Sequence, residues 1–187
     1  MIRSKASFNP FNHPFYQKTV LNWLVNAGSV LLCLLILPVR LPGMELAGIG
    51  PNWLLIWVVA WSVKRNAFQG AMAGLVLGLL QDGMTSLQPT HVISLVLVGM
   101  MTARLQKQRY IQEDFISIAL IVFGMAVLSE TILALQFSLQ TDRTLADIWP
   151  YQQRVAVASA ILSSLWAPIL YYPLSRWWEK VDLLEET

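Results

Sequence analysis

The stretch from Pro51 to Thr102, PNWLLIWVVAWSVKRNAFQGAMAGLVLGLLQDGMTSLQPTHVISLVLVGMMT, decides the fold. It opens on Pro51-Asn52-Trp53 and stays apolar to Val63, where Lys64-Arg65 break the run. A second apolar run carries Gly70, Gly74 and Gly78 at four-residue spacing and ends on Asp82. A third runs from Pro89 to the basic cluster Arg104, Lys107 and Arg109. Apolar segments joined this closely read as a tightly packed set of membrane helices.

Composition extends that reading to the whole chain. Of 187 residues, 56% are hydrophobic and 13% charged, against about a quarter charged in a typical soluble domain. The mean hydropathy is +0.53. Thr19–Val39, Gly83–Ala103 and Val155–Ser175 each hold 21 residues without Asp, Glu, Lys or Arg. A bilayer core takes roughly 20 residues of helix at 1.5 Å rise. The single cysteine, Cys33, lies inside the first apolar run, so no intrachain disulfide can form. That run is too long for a signal-peptide core and shows no small-x-small cleavage site, which predicts a retained anchor.

In chain order the sequence predicts a basic N-terminal tail over residues 1–18, read either as an irregular segment with its aromatics at headgroup depth or as disordered. One six-helix membrane domain follows over 19–178, then a C-terminal acidic tail over 179–187. Helix 1 is expected over Thr19–Leu37, and helix 2 from Pro51, a favoured first-turn residue, to Arg65. Helices 3, 4 and 5 are expected over about Asn66–Gln81, Pro89–Ala103 and Asp114–Leu139. Leu145, Ile148 and Trp149 suggest a short interfacial helix within Thr141–Gln153. Helix 6 is expected over Val155–Leu174, with Pro168 inside. Arg3, Lys5, Lys18, Lys64, Arg65, Arg104, Lys107, Arg109, Arg176 and Lys180 fall on one side of this topology, ten of 13 basic residues. The positive-inside rule then places both termini in the cytoplasm. That distribution also assigns the basic residues to orientation and to membrane lipid, with no call for nucleic acid.

The glycine ladder gives helix 3 a smooth face. Helices in lipid gain no hydrophobic drive from each other, so close backbone approach and dispersion hold them together. Whether the partner is internal or another protein is open at this stage. Asp82 continues the four-residue ladder and reads as a cap or hydrogen-bond anchor, with a ligand site as the alternative. Glu130 is the costly residue, since an intramembrane carboxylate usually faces the bundle or a polar cavity. A structural network, a partner contact and a proton or ligand role all fit it. Trp53, Trp57 and Trp61 share a face and read as packing aromatics. His13 and His91 sit in no metal-ligand or base pattern, and nothing nominates a nucleophile with an activating base. The residues thus call for no enzyme activity, metal or cofactor.

Pro51-Asn52-Trp53, the apolar run ending on a basic pair, and Gly74-x-x-x-Gly78-x-x-x-Asp82 together resemble the core of the MreD family of rod shape-determining proteins. Glu130, Trp166-Ala167-Pro168 and Tyr171-Tyr172 resemble that family's later segments. The chain departs from the family where Leu87-Gln88-Pro89 replaces a small-residue loop. The resemblance implies a non-enzymatic scaffold of the cell-elongation machinery in the bacterial inner membrane, acting in lateral peptidoglycan synthesis. It implies binding to MreC, a single-span periplasmic protein, and work with the MreB filament and a wall-synthesis glycosyltransferase and transpeptidase. It also implies a compact all-α bundle similar to the substrate-binding subunits of energy-coupling-factor transporters. A vitamin-binding transporter subunit is accordingly the rival reading. The residues and the resemblance together give Pro51, Asn52, Trp53, Gly70, Gly74, Gly78, Asp82 and Pro168 as candidate helix-packing or partner-interface residues, with Glu130 as the intramembrane polar one.

Overall fold

A computed structural model describes residues 14–39, 43–46, 48–85, 89–107, 115–140 and 145–185. Among these the chain is all-α, with six helices and no strand. They are α1 (Pro14–Ile36), α2 (Trp53–Ser62), α3 (Ala67–Met84), α4 (His91–Lys107), α5 (Phe115–Gln140) and α6 (Leu145–Glu185). Two of them, α5 and the Asp147–Val181 part of α6, are long and apolar enough to cross a membrane.

The short α2 lies at the centre and packs against all five other helices. Its sequence, WLLIWVVAWS, is apolar on every side, and a helix of that kind has to be surrounded by protein or lipid. Here it is surrounded by protein: Leu54, Leu55, Val58 and Val59 are fully buried. Around it α3 pairs with α4 and α5 with α6, while α1 touches mainly α2.

The α3–α4 pair is built on glycine. A Cβ placed on Gly74 would run into the backbone of Leu95 and Val96, and one on Gly78 would lie 2.5 Å from Val92 Cα. Gly70 faces Gly99 of α4 reciprocally, each backbone carbonyl occupying the space a Cβ on the other would need. The same two glycines also abut α2, Gly70 at Ser62 Oγ and Gly99 at Val58 Cγ1. The missing side chains therefore let three helix backbones converge at one point.

Several predicted boundaries move. Helix 1 starts at Pro14, not near Thr19, because proline is well accommodated in a helix's first turn. Residues 1–13 of the predicted tail, and Ser86, Leu87 and Gln88, lie outside the described residues. Helix 2 is 10 residues long and not 15. Asn52 takes the N-cap place and Pro51 precedes it, so the helix spans only about 15 Å. The predicted interfacial helix, helix 6 and the beginning of the acidic tail merge into one helix of 41 residues. It runs through Pro150, Pro168 and Pro173. Neighbouring helices and local adjustments satisfy backbone groups freed by proline inside a membrane protein.

The start of α2 offers a direct test. Asn52 Oδ1 accepts the Leu55 N–H at 3.1 Å, and the Asn52 N–H donates to Ser163 Oγ of α6 at 2.9 Å. Replacing an N-cap side chain by alanine costs about 1 kcal/mol. Asn52→Ala should lower the melting temperature of the purified protein, whereas Asn52→Asp, which keeps the acceptor, should largely preserve it. Equal melting of wild type and Asn52→Ala would show that this cap contributes nothing.

Candidate functional site

The first cluster of candidate residues surrounds α2. Trp53 is buried and tilts against Trp166 of α6 at 5.5 Å between ring centroids. Trp57 stacks on Trp61 at 5.5 Å, and Trp61 meets Trp178 edge-on at 5.2 Å. Arg65 lies over the Trp61 ring at 4.7 Å, a cation–π contact at the helix end. Indole N–H groups then fasten α1 to this aromatic column. Trp57 Nε1 donates to Ser29 Oγ and Trp178 Nε1 to Asn26 Oδ1, each at 2.9 Å. Two charged side chains close the same end of the bundle, Lys64 Nζ reaching Glu179 Oε1 at 2.7 Å.

Sequence reasoning did not single out Asn26, Ser29 or Ser163. The available signal was polar residues inside charge-free runs, which in lipid usually bond across helices. Gly99 was missed too, although a lone glycine inside an apolar helix often has a packing reason.

The second cluster joins α3 to α4. Asp82 is buried at 6% exposure. Its Oδ2 accepts the Thr90 hydroxyl, and its Oδ1 accepts the His91 N–H at 2.8 Å. His91 Nδ1 lies 2.7 Å from Oδ1, so the carboxylate accepts a hydrogen bond from Nδ1–H when that nitrogen carries the proton. Asp82 thus satisfies the first N–H of α4, one of the donors every helix start leaves without an intrahelical partner. The ladder Gly70, Gly74, Gly78, Asp82 is one continuous seam: three close backbone approaches, then a side chain that ties down the start of the partner helix.

The third cluster lies between α5 and α6. Glu130 is 9% exposed, and Gln152 Nε2 donates both to its Oε2 at 3.0 Å and to its carbonyl at 3.3 Å. Ser129 Oγ beside it is buried with no hydrogen-bond partner among the described residues. α3 and α5 share no substantial packing face, and the structure records no contact between Asp82 and Glu130. Pro168 is half-buried on α6 beside the buried Ala167. Among the described residues no group of three His, Cys, Asp or Glu side chains could hold a metal ion.

Chemically, Asp82 and Glu130 act here as acceptors for donors on neighbouring helices. Removing the acceptor from a buried pair costs about 1–3 kcal/mol, because the donor stays behind unpaired. Glu130→Gln keeps an acceptor for Gln152 and should melt within a few degrees of wild type. Glu130→Ala should melt clearly lower. If Gln proves as damaging as Ala to activity in cells at normal protein level and melting temperature, the carboxylate charge itself is needed.

Comparison with curated proteins and with solved structures found no match. The family model for the rod shape-determining protein MreD matches residues 17–181. That match takes in all of α2, α3, α4 and α5 and nearly all of α1 and α6, and with them the glycine seam, the tryptophan column and both buried carboxylates. The chain therefore belongs to the MreD family.

Proposed function

We propose that this chain is a non-enzymatic scaffold of the bacterial elongation machinery, spanning the inner membrane six times with both termini in the cytoplasm. Family membership over residues 17–181 carries the reading and fits a role in determining rod shape. In this proposal the chain binds an MreC-like single-span periplasmic protein. Through it the chain would join the MreB filament to the glycosyltransferase and transpeptidase of peptidoglycan synthesis. The polar chemistry supports a scaffold, because Asn52, Asp82 and Glu130 all engage partners within the bundle. The rival transporter reading gains nothing from the family match. A bundle similar to the substrate-binding subunits of energy-coupling-factor transporters stays part of the proposal.

The six-span count has to accommodate α2, whose roughly 15 Å is half of a ~30 Å core. Non-helical backbone at membrane depth is tolerated where protein buries it. Pro51 and Asn52 before the helix are half-buried, as is Lys64 after it. The flanking chain can therefore complete the crossing, and the bilayer can thin locally around a short span.

Two measurements test the proposal. In a Cys33→Ser background, membrane-impermeant thiol labelling should reach Asp147→Cys from outside and Thr187→Cys only after the cells are opened. Labelling of Thr187→Cys in intact cells would remove one span. An affinity pull-down from gently solubilised membranes should recover a single-span periplasmic protein. Recovery of paired ATPases in its place would overturn the scaffold.

A further inference from the structure

α1 and α3 both pack on α2 but share no substantial face with each other. The groove left between them is lined by Trp23, Ala27 and Val30 of α1 and by Met72, Val76 and Leu80 of α3. Trp57 and Trp61 of α2 form its floor. Their rings stack at 11° between planes, and Arg65 continues the column one turn further, over the Trp61 ring.

Hydrogen bonds fix the register of α1 against this column. Ser29 is level with Trp57, and Asn26 with the Trp61–Trp178 pair. Asn22 lies one turn before Asn26 and therefore arrives at the level of Arg65, one turn after Trp61. Gln69 lines the groove at this same end, where the adjoining Gly70 abuts Ser62.

The polar groups at that end are unevenly engaged. Asn26 is used on both sides, its Oδ1 accepting from Trp178 and its Nδ2 donating to Asn22 Oδ1. Asn22 is left with its amide N–H groups, and so is Gln69, whose Oε1 accepts the Asn66 N–H. Arg65 meets no carboxylate among the described residues, since Glu179 at this end of the bundle is held by Lys64. Three helices thus bring three unengaged donors to one end of the groove. One of them is a permanent cation, and none is buried.

An occupant of this groove has to present acceptor oxygens and negative charge at that end and hydrocarbon beyond it. Donors arriving from three helices suit a phosphodiester, whose oxygens are arranged around a tetrahedral centre. A carboxylate on a partner helix offers two oxygens in one plane. Arg65 also closes the apolar run that begins at Trp53, which places the donors at the depth of the lipid headgroups.

We infer that the α1–α3 groove binds an anionic phospholipid, its phosphodiester at Arg65, Asn22 and Gln69 and an acyl chain along the Trp57–Trp61 floor. On the proposed orientation this is a lipid of the cytoplasmic leaflet. The site itself depends neither on the number of spans nor on the scaffold reading.

The test uses the full chain reconstituted in vesicles containing phosphatidylglycerol with a diazirine in its acyl tail. A matched phosphatidylcholine probe, whose choline cation offsets the phosphate, serves as the comparison. After irradiation, peptide mapping should find adducts concentrated at Val30, Met72 and Val76. Phosphatidylglycerol should label these positions about fivefold more than phosphatidylcholine, the effect of one cation at a membrane surface. Arg65→Gln should erase that preference, and Arg65→Lys should retain it. Ala27→Trp should fill the groove and abolish the labelling, while Leu31→Trp, on an exposed face of α1, should leave it intact. Equal labelling of the wild-type groove by the two lipids would overturn the assignment, even if the variants do not fold. So would an Arg65→Gln protein that keeps the preference at an unchanged melting temperature, or adducts as dense at Leu120 and Leu165 as in the groove. A photoreactive residue at Val76 that captures a protein chain in cell membranes, in place of lipid, would overturn it as well.

Discussion

Two helix backbones in direct contact are the constraint on which this fold depends. At Gly70, Gly74 and Gly78 of α3, and at Gly99 of α4, the space a Cβ would fill is taken by the opposing chain. In a bilayer such contacts have to be close to matter, because lipid tails solvate an apolar side chain as well as another helix does. Dispersion between two backbones then replaces the hydrophobic term that holds soluble helices together. The contact also sets the position of α2, since Gly70 and Gly99 each touch it. A helix apolar on all sides is kept central by the close approach of its neighbours.

Polar bonds complete what the glycine contact begins, and each lies where an apolar surface could not specify the geometry. Asp82 fixes the start of α4 against the end of α3. Ser163 fixes the start of α2 against α6. Trp57 and Trp178 fix α1, which has little packing of its own. Because α1 is tied at these points and not packed along its length, a groove remains between it and α6. The looseness of one helix and the tightness of two others are parts of one design.

Much of this was legible in the sequence, for physical reasons that also explain the failures. The glycine ladder ending on Asp82 was visible because four-residue spacing fixes a helix face whatever surrounds it. The long charge-free runs were visible because bilayer thickness sets their length. The length of α2 was misjudged because Pro51 reads as a first-turn residue and the apolar run continues to Val63, while Asn52 caps the helix one residue later by a bond that hydropathy does not register. The unbroken α6 was missed because the polar Thr141–Gln153 stretch reads as an interfacial segment separate from the charge-free run that follows, whereas one helix runs from Leu145 into that run without a break. The roles of Asn26, Ser29 and Ser163 depend on partners 152, 28 and 111 positions away, and no local spacing contains them.

The central claim is that the α3–α4 backbone contact organises the bundle, and a Gly→Ala series measures it most directly. Inside a helix, alanine is favoured over glycine by about 1 kcal/mol, so a glycine in open space gains from the change. Gly124 of α5 has nothing within 4 Å of an added Cβ, and Gly124→Ala should melt at or above the wild-type temperature. Gly70→Ala, Gly74→Ala and Gly99→Ala should each melt lower, because the obstructing atoms are backbone and overpacking costs about 1–3 kcal/mol. A Gly74→Ala protein that melts like Gly124→Ala would contradict the account.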